Sequence, residues 1–446
     1  MNKKRVLALL VCLALVAALI AGCAVREEPA ADNEVPDADE PTPVEPAERV
    51  EISLLMGQDT QRVGMEAVIA AIEERYNIET SIELGPGGPE GENLVRTRLA
   101  TGASTDIMLF NSGSLFMTLN PPQHFVDLTD EPFMDRVFDS FKQVVSVDGR
   151  AYSIPASTAM GGGWLYNRRV YDELGLSVPR TWADLMANNQ VIKDAGKIPV
   201  IGSLRDTWTS QLILLADHFN VHAQDPGFAE RFTLNQAKIA DTPIALRGFE
   251  KLHEVFQAGF MNEDKLTTTF DDALAMLAEG TGVHYPMLTF VLVTIAERFP
   301  EAVDDIGFFA QPSDSEGING LTTWMPMGIS FSNQSENIEA LKTWANFFVS
   351  DEGIEIFMAA ERPTGPLLIE GVELPDDVWP AINQMAEYFE SGNTVSALEF
   401  FTPLKGPNLP QISVEVGSGM ITPLEGAKAY DADVERQARQ LNLPGW

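Results

Sequence analysis

VEISLLMGQDTQRVGMEAVIAAIEERYNIETSIELGPGGPEGENLVRTRLATGASTDIMLFNSG, residues 50–113, is the stretch whose reading decides the fold. VEISLLM is a short aliphatic run of the kind that forms a buried strand. MEAVIAAIEERY has helical periodicity, with Met65, Val68, Ile69 and Ile72 on one face. IETSIEL reads as a second strand, and ENLVRTRLATG as a helix that stops at Gly102, the usual C-terminal position for glycine. DIMLF is a third strand. The order β-α-β-α-β argues for a parallel sheet covered by helices, the α/β class. Ligands of such sheets lie beyond the carboxyl ends of the strands. Those ends are Gly57-Gln58-Asp59 and Asn111-Ser112-Gly113, short polar segments that suit a ligand-facing rim and equally suit plain turns.

Upstream, the chain opens MNKKRVLALLVCLALVAALIAGCAV. Lys3, Lys4 and Arg5 precede fifteen uncharged, mostly apolar residues, Val6 to Ile20. That is shorter than the roughly 20 residues a membrane-crossing helix needs, and it fits a secretory signal peptide. Ile20-Ala21-Gly22-Cys23 resembles a bacterial lipobox, which implies a signal peptide over 1–22 and acylation of Cys23, with palmitate-type chains. One acyl chain contributes about 0.8 kcal/mol per buried CH₂ and holds only marginally, whereas two or more anchor durably. Residues 24–49 contain nine acidic residues, five prolines and no aromatic. This composition cannot bury enough apolar surface to fold, so 23–49 is expected to be an extended, self-repelling tether.

The sequence has two cysteines, and Cys12 lies in the segment expected to be removed. No intramolecular disulfide is then available, and stability must come from a packed core, which 45% hydrophobic residues allow. At about 100–200 residues per domain, the length indicates two domains. The net charge of −35 repels phosphate backbones and anionic headgroups. It argues against nucleic acid as a partner and weakly against a strongly anionic ligand, although it also simply keeps the protein soluble.

Downstream, Thr181-Trp182-Ala183-Asp184 looks like a capping box that opens a helix. KIPVIGS, VHYPM and DIGFFAQ read as strands. TWTSQLILLADHF, ALRGFEKLHEVFQAG, DDALAMLAEG and TFVLVTIAERF read as helices. ENIEALKTWANFFVSDEGIEIFMAA reads as a helix pair, and PLEGAKAYDADVERQARQL as a closing helix. Phosphate-loop, HExxH, CxxC and GxSxG motifs are absent from the sequence. His218 and His222 are four apart and could share a helix face, but no third ligand lies nearby, so neither a metal nor another cofactor is expected. Among 65 acidic residues no carboxylate pair stands out as a glycosidase pair.

The aromatic residues are more informative. Trp164, Trp208, Phe290 and Trp324 sit beside glycine, threonine, asparagine or aspartate at element ends. A ring for the apolar face of a sugar, with short polar side chains for its hydroxyls, makes a suitable site. Each ring also fits a core position. Trp344, in a helix with Leu341, Phe347 and Phe348, reads as core, and Trp182 as packing at a helix start.

Five spaced segments then resemble a family. They are LATGASTDIMLFNSG (99–113), FVDLTDEPF (125–133), VDGRAYSIPASTAMGGGWLYNRRVYDELGLSVPRTWADL (147–185), MLAEGTGVHYPMLTF (276–290) and GISFSNQSENIEALKTWANFFVSDEG (328–353). In this order, with the C-terminal end, they resemble family 1 extracellular solute-binding proteins of bacterial carbohydrate ABC importers, the maltose-binding-like group, over residues 50–446. The resemblance implies a periplasmic-binding-protein-like fold, type II-like, with two α/β lobes joined by hinge crossings. Carried over by position, 50–158 with about 310–348 would form the N-terminal lobe, and 159–309 with about 349–446 the C-terminal lobe. The crossings would fall at Ile154 to Leu165, near Ile306 to Pro312 and near Val349.

The resemblance places ligand contacts at Gln58, Asp59, Asn111 and Ser112, at Met160, Gly161 and Trp164 in the crossing, and at Trp208, Met287, Thr289 and Phe290. Trp324 joins them from the aromatic reading. Where many members carry Gly-x-Trp, this chain has Leu288-Thr289-Phe290, a smaller ring beside a bulkier neighbour. The implied function is non-enzymatic. A lipid-anchored monomer on the outer face of the cell membrane would capture a sugar or oligosaccharide by hinge closure and deliver it to permease subunits. Such a closure is driven by the ligand's preference for the closed state. A polyol, sugar phosphate or peptide ligand on the same fold, a non-transport adhesin or sensor, or a lipid-anchored glycan hydrolase, are the alternatives.

Overall fold

A computed structural model describes residues 49–446 apart from Asp59. The signal peptide, Cys23 and the acidic stretch through Glu48 lie outside the described residues. The strands are β1 Val50–Gly57, β2 Ile78–Gly85, β3 Ile107–Phe110, β4 Ser146–Val147, β5 Arg150–Ala151, β6 Ile154–Pro155, β7 Met160–Asn167, β8 Ile198–Val200, β9 Gly282–Leu288, β10 Ile306–Ala310, β11 Leu321–Trp324, β12 Gly328–Phe331 and β13 Thr394–Ser396.

The first sheet runs β2-β1-β3-β12-β6, with β1 parallel to both β2 and β3. The opening segment therefore folds as its periodicity implies. The helix Val63–Tyr76 buries Met65, Val68, Ile69 and Ile72. The helix Gly88–Thr101 ends at Gly102, whose φ of 69° is the left-handed conformation that glycine adopts without a Cβ penalty. Asp106 ties the sheet edge together. One carboxylate oxygen accepts from the Ser53 N–H and hydroxyl at 2.9 and 2.8 Å, and the other from the Ser335 hydroxyl at 2.6 Å.

The second sheet runs β13-β11-β7-β9-β8, and β10 also pairs with β7. β11 registers with Met160–Gly162 and β10 with Gly163–Asn167, so the two share one edge of the central strand. The three glycines of β7 are explained by close approach. A Cβ on Gly162 would lie 2.0 Å from Trp324, and one on Gly163 would lie 2.4 Å from the Phe309 carbonyl oxygen. The capping box at Thr181 and Asp184 forms as expected, and Thr269 with Asp272 makes another.

Each sheet has its own core. Leu54, Ile107, Phe116, Ile329 and Trp344 belong to the first, and Trp164, Phe228, Phe232 and Val255 to one of those around the second. The chain leaves the first sheet after Pro155 and enters the second at Met160. It returns between Trp324 and Gly328. It leaves again after Ile369, the last residue of the first core, and before Val378, which is buried with the second. The later two crossings therefore differ from their expected positions near Ile306 to Pro312 and near Val349. Ile306–Ala310 stays hydrogen-bonded to β7, and so does β11, so the chain remains in the second lobe until Trp324. Past Val349, the helix Asp351–Ala360 packs Phe357 onto Gly64 of the first lobe.

Several charged or titratable groups are enclosed in the second lobe, Lys251 and His284 among them. Lys251 is 1% exposed and its Nζ lies 2.6 Å from Asp217 Oδ1. His284 is 0% exposed, with Nε2 2.6 Å from the Tyr171 hydroxyl and Nδ1 2.9 Å from Asn189 Oδ1. Burial pushes the His284 pKa down to about 3, and burial, with His222 nearby, does the same for His218. A histidine depressed in this way binds fewer protons folded than unfolded, so the stability it allows is complete above the unfolded value of 6.5 and is lost as pH falls from there toward 3. Each is expected to remove about 1–2 kcal/mol between pH 7 and pH 5. Urea titrations at the two pH values check this, and His284→Gln should shrink the difference.

Candidate functional site

The first two crossings, and the segment 361–364 upstream of the third, meet at one cavity of 450 Å³ between the lobes. Its first wall is built by the first lobe and the crossings. Thr60 and Gln61 follow the turn after β1, Asn111 and Ser112 follow β3, and Ser157 and Thr158 lie between β6 and β7. Several of these groups are already used. Ser112 donates to the Pro326 carbonyl at 2.8 Å, and the Thr158 and Thr364 hydroxyls are 2.9 Å apart. Others are free: Thr60 Oγ1 is buried without a partner, and the side chains of Gln61, Asn111 and Ser157 make no hydrogen bond among the described residues.

The second wall carries the rings. Trp208 sits on the turn Thr207–Gln211, which is pinned by Thr209 donating to the Ser203 carbonyl at 2.8 Å and Ser210 donating to the Pro410 carbonyl at 2.9 Å. Its ring is 40% exposed and packs on Phe270 and Phe290 with centroids at 5.2 and 6.4 Å. Trp324 lies against Gly162, and its Nε1 donates to Glu399 Oε1 at 2.7 Å. Glu399 also pairs with Lys405. Gln211 donates to the Trp208 carbonyl at 3.0 Å, which leaves its buried Oε1 unpartnered.

Charge in the cavity is largely neutralised. Lys405 is held by Glu399, and Arg362 lies 3.4 Å from Asp377. Glu361 accepts from the Gly64 N–H at 3.1 Å, and burial raises its pKa. Buried polar atoms nearly always find partners, so Gln211 Oε1 and Thr60 Oγ1 mark where an incoming polar group is needed.

Of the sequence candidates, Asn111, Ser112, Met160, Trp208, Phe290 and Trp324 line the cavity. Gln58 is exposed and uses its N–H on the Gly85 carbonyl at 2.9 Å, and Asp59 lies outside the described residues. Trp164 is buried in the second lobe, stacked on Phe309, with Nε1 2.5 Å from Gln311 Oε1. Gly161 faces Met385 and Phe308, and Met287 is core. Thr289 is a strut: its hydroxyl accepts from the Gly161 N–H at 3.1 Å and donates to the Thr364 carbonyl at 2.9 Å. Sequence reasoning passed over Thr60, Gln61 and Gln211. The first two lie just past a strand end that had been singled out, and Gln211 follows Trp208 by one turn, so position relative to known candidates was the available signal.

The profile of the family described as bacterial extracellular solute-binding protein matches residues 58–355. The chain belongs to that family. A multiple sugar-binding protein of Streptococcus mutans is 22% identical to this solute-binding protein over 70% of the chain and 74% of its own length. Among solved structures, a chitin oligosaccharide binding protein superposes with a TM-score of 0.75 at 19% identity, covering 87% of this chain and 98% of that one. A sugar transporter protein of Bacillus licheniformis, in complex with stachyose, gives 0.68 at 16% identity over 87% of this chain and all of its own. These superpositions establish the shared two-lobe fold of this solute-binding protein. No helix among its described residues is long and apolar enough to cross a membrane.

Proposed function

We propose that this solute-binding protein captures a neutral saccharide between its lobes on the outer face of the cell membrane and presents it to the permease of an ABC importer. The observation that carries this reading is the pairing of two unlike walls across the hinge. Unused hydrogen-bonding groups of Thr60, Gln61 and Asn111 stand among apolar side chains on one side, and the rings of Trp208, Phe290 and Trp324 are gathered on the other. The relatives described above, whose names give sugars as their ligands, support it. A neutral ligand fits the cations: Lys405 is engaged by Glu399, and Arg362, half exposed, makes a single 3.4 Å contact with Asp377.

Only the closed arrangement brings both walls to one ligand. Moving a hinge from 1:99 to 99:1 closed takes about 5.5 kcal/mol of differential affinity, within reach of a few stacked rings and several hydrogen bonds. Capture without turnover is the reading for the carboxylates as well, because Glu399 is committed to Trp324 and Lys405. Acylation of Cys23 would hold the receptor beside its permease as a monomer, with 24–49 as the tether. Palmitate labelling of the parent but not of Cys23→Ser checks the anchor.

The ligand reading is tested by isothermal titration calorimetry and tryptophan fluorescence with a panel of oligosaccharides, peptides and sugar phosphates. Saturable binding of a neutral saccharide is expected. Binding confined to peptides or anions would overturn it.

A further inference from the structure

The two walls differ in more than their rings. Both walls carry apolar side chains, Met65, Leu109 and Leu115 on the first and Met160, Leu212, Leu215, Leu288 and Val293 on the second, but the unused polar groups are concentrated on the first; on the second, among the described residues, Gln211 is the polar side chain with an unused buried atom. Aromatic rings take the C–H face of a sugar, but aliphatic side chains cannot bond its hydroxyls. A hydroxyl pressed against them without a partner is penalised, whereas apolar surface buried there is favoured. The hinge side continues the same character with methionine, a flexible side chain that fits irregular apolar shapes.

We infer that the ligand is amphiphilic: a neutral glycoside with an alkyl or aryl aglycone, its hydroxyls on the first-lobe wall and its apolar group on the aliphatic patch of the second. This rests on the saccharide reading above and narrows it. Leu288 is the decisive residue. It stands at the end of β9 between Met287, which is buried, and Thr289, which is tied into the hinge, so its own side chain is the one of the three that reaches the cavity.

The test is calorimetry on the full mature chain with glucose, galactose and N-acetylglucosamine, each as the free sugar and as its octyl and p-nitrophenyl β-glycoside below micellar concentration. At least one glycoside is expected to bind tenfold or more tighter than its free sugar, and Leu288→Thr should remove most of that gain. Val293→Thr serves as a second variant if the first fails to fold. Free sugar binding as tightly as its glycosides would overturn the amphiphilic ligand and leave the saccharide reading intact. Equal binding of octanol and the octyl glycosides would overturn both, as would no binding of any probe. A gain that survives both variants would also overturn the inference.

Discussion

Lys251→Met is expected to lower folding stability by about 3–5 kcal/mol, the cost of removing one partner from a buried ion pair. Lys251 Nζ lies 2.6 Å from Asp217 Oδ1 and 2.8 Å from the Pro312 carbonyl oxygen, and both charged residues are 1% exposed. The same carboxylate oxygen accepts from Asn220 at 2.7 Å, while Oδ2 has no partner. Without the ammonium, the buried Asp217 carboxyl is left with a single amide as its side-chain partner. The Pro312 carbonyl, just past β10, loses a donor as well. The double variant Lys251→Met, Asp217→Leu should recover a large share, since replacing both members by apolar groups of similar volume is often close to neutral. Urea midpoints of the three proteins decide it. A single variant within about 1 kcal/mol of the parent would be incompatible with an uncompensated charge at Asp217.

Trp208→Ala should act on the ligand and leave the fold nearly intact. The ring is 40% exposed and covers Phe270 and Phe290 at the cavity face. A ring that faces a ligand is typically worth 2 kcal/mol or more when truncated, so affinity is expected to fall by about 10–100-fold. Stability should change by about 1 kcal/mol or less, because a half-exposed ring gives up little burial. Calorimetry with whichever saccharide binds the parent, alongside thermal melts, separates the two effects. Undiminished affinity would move the aromatic contact elsewhere, to Phe290 or Trp324. Trp324 is the less clean probe. At 7% exposed, it is at once a wall of the cavity and the partner of Glu399.

The first lobe was largely legible because its signals are local. Four apolar residues on one helical face, a terminal glycine and three short aliphatic runs specify β-α-β-α-β without help from distant chain. The later crossings were not legible, because they depend on register. Nothing in DIGFFAQ or LTTW says that both segments pair with one strand some 150 residues earlier. The same limit separates Trp164 from Trp208. Both stand among small or polar neighbours, yet one is sealed under Trp182 and Phe309 and the other opens on the cavity. The glycines before Trp164 do announce a close approach, but not its partners, which are Met385 and Phe308 at Gly161, the Trp324 ring at Gly162 and the Phe309 carbonyl at Gly163. Thr289 was singled out as a ligand contact, but its hydroxyl is spent on two backbone groups, a use that a sequence cannot distinguish from sugar binding.

That one hydroxyl has a mechanical result. It fastens the start of β7 to the segment at Thr364, while Ala159 donates to the Pro366 carbonyl at 2.8 Å and Ala156 to the Met327 carbonyl at 3.0 Å. The first two covalent links, and the segment 364–366 upstream of the third, are joined side by side in this way as a single axle. A hinge motion of the kind proposed above would turn about that shared line, and a guest that loosened one of these strands would work against its neighbours as well.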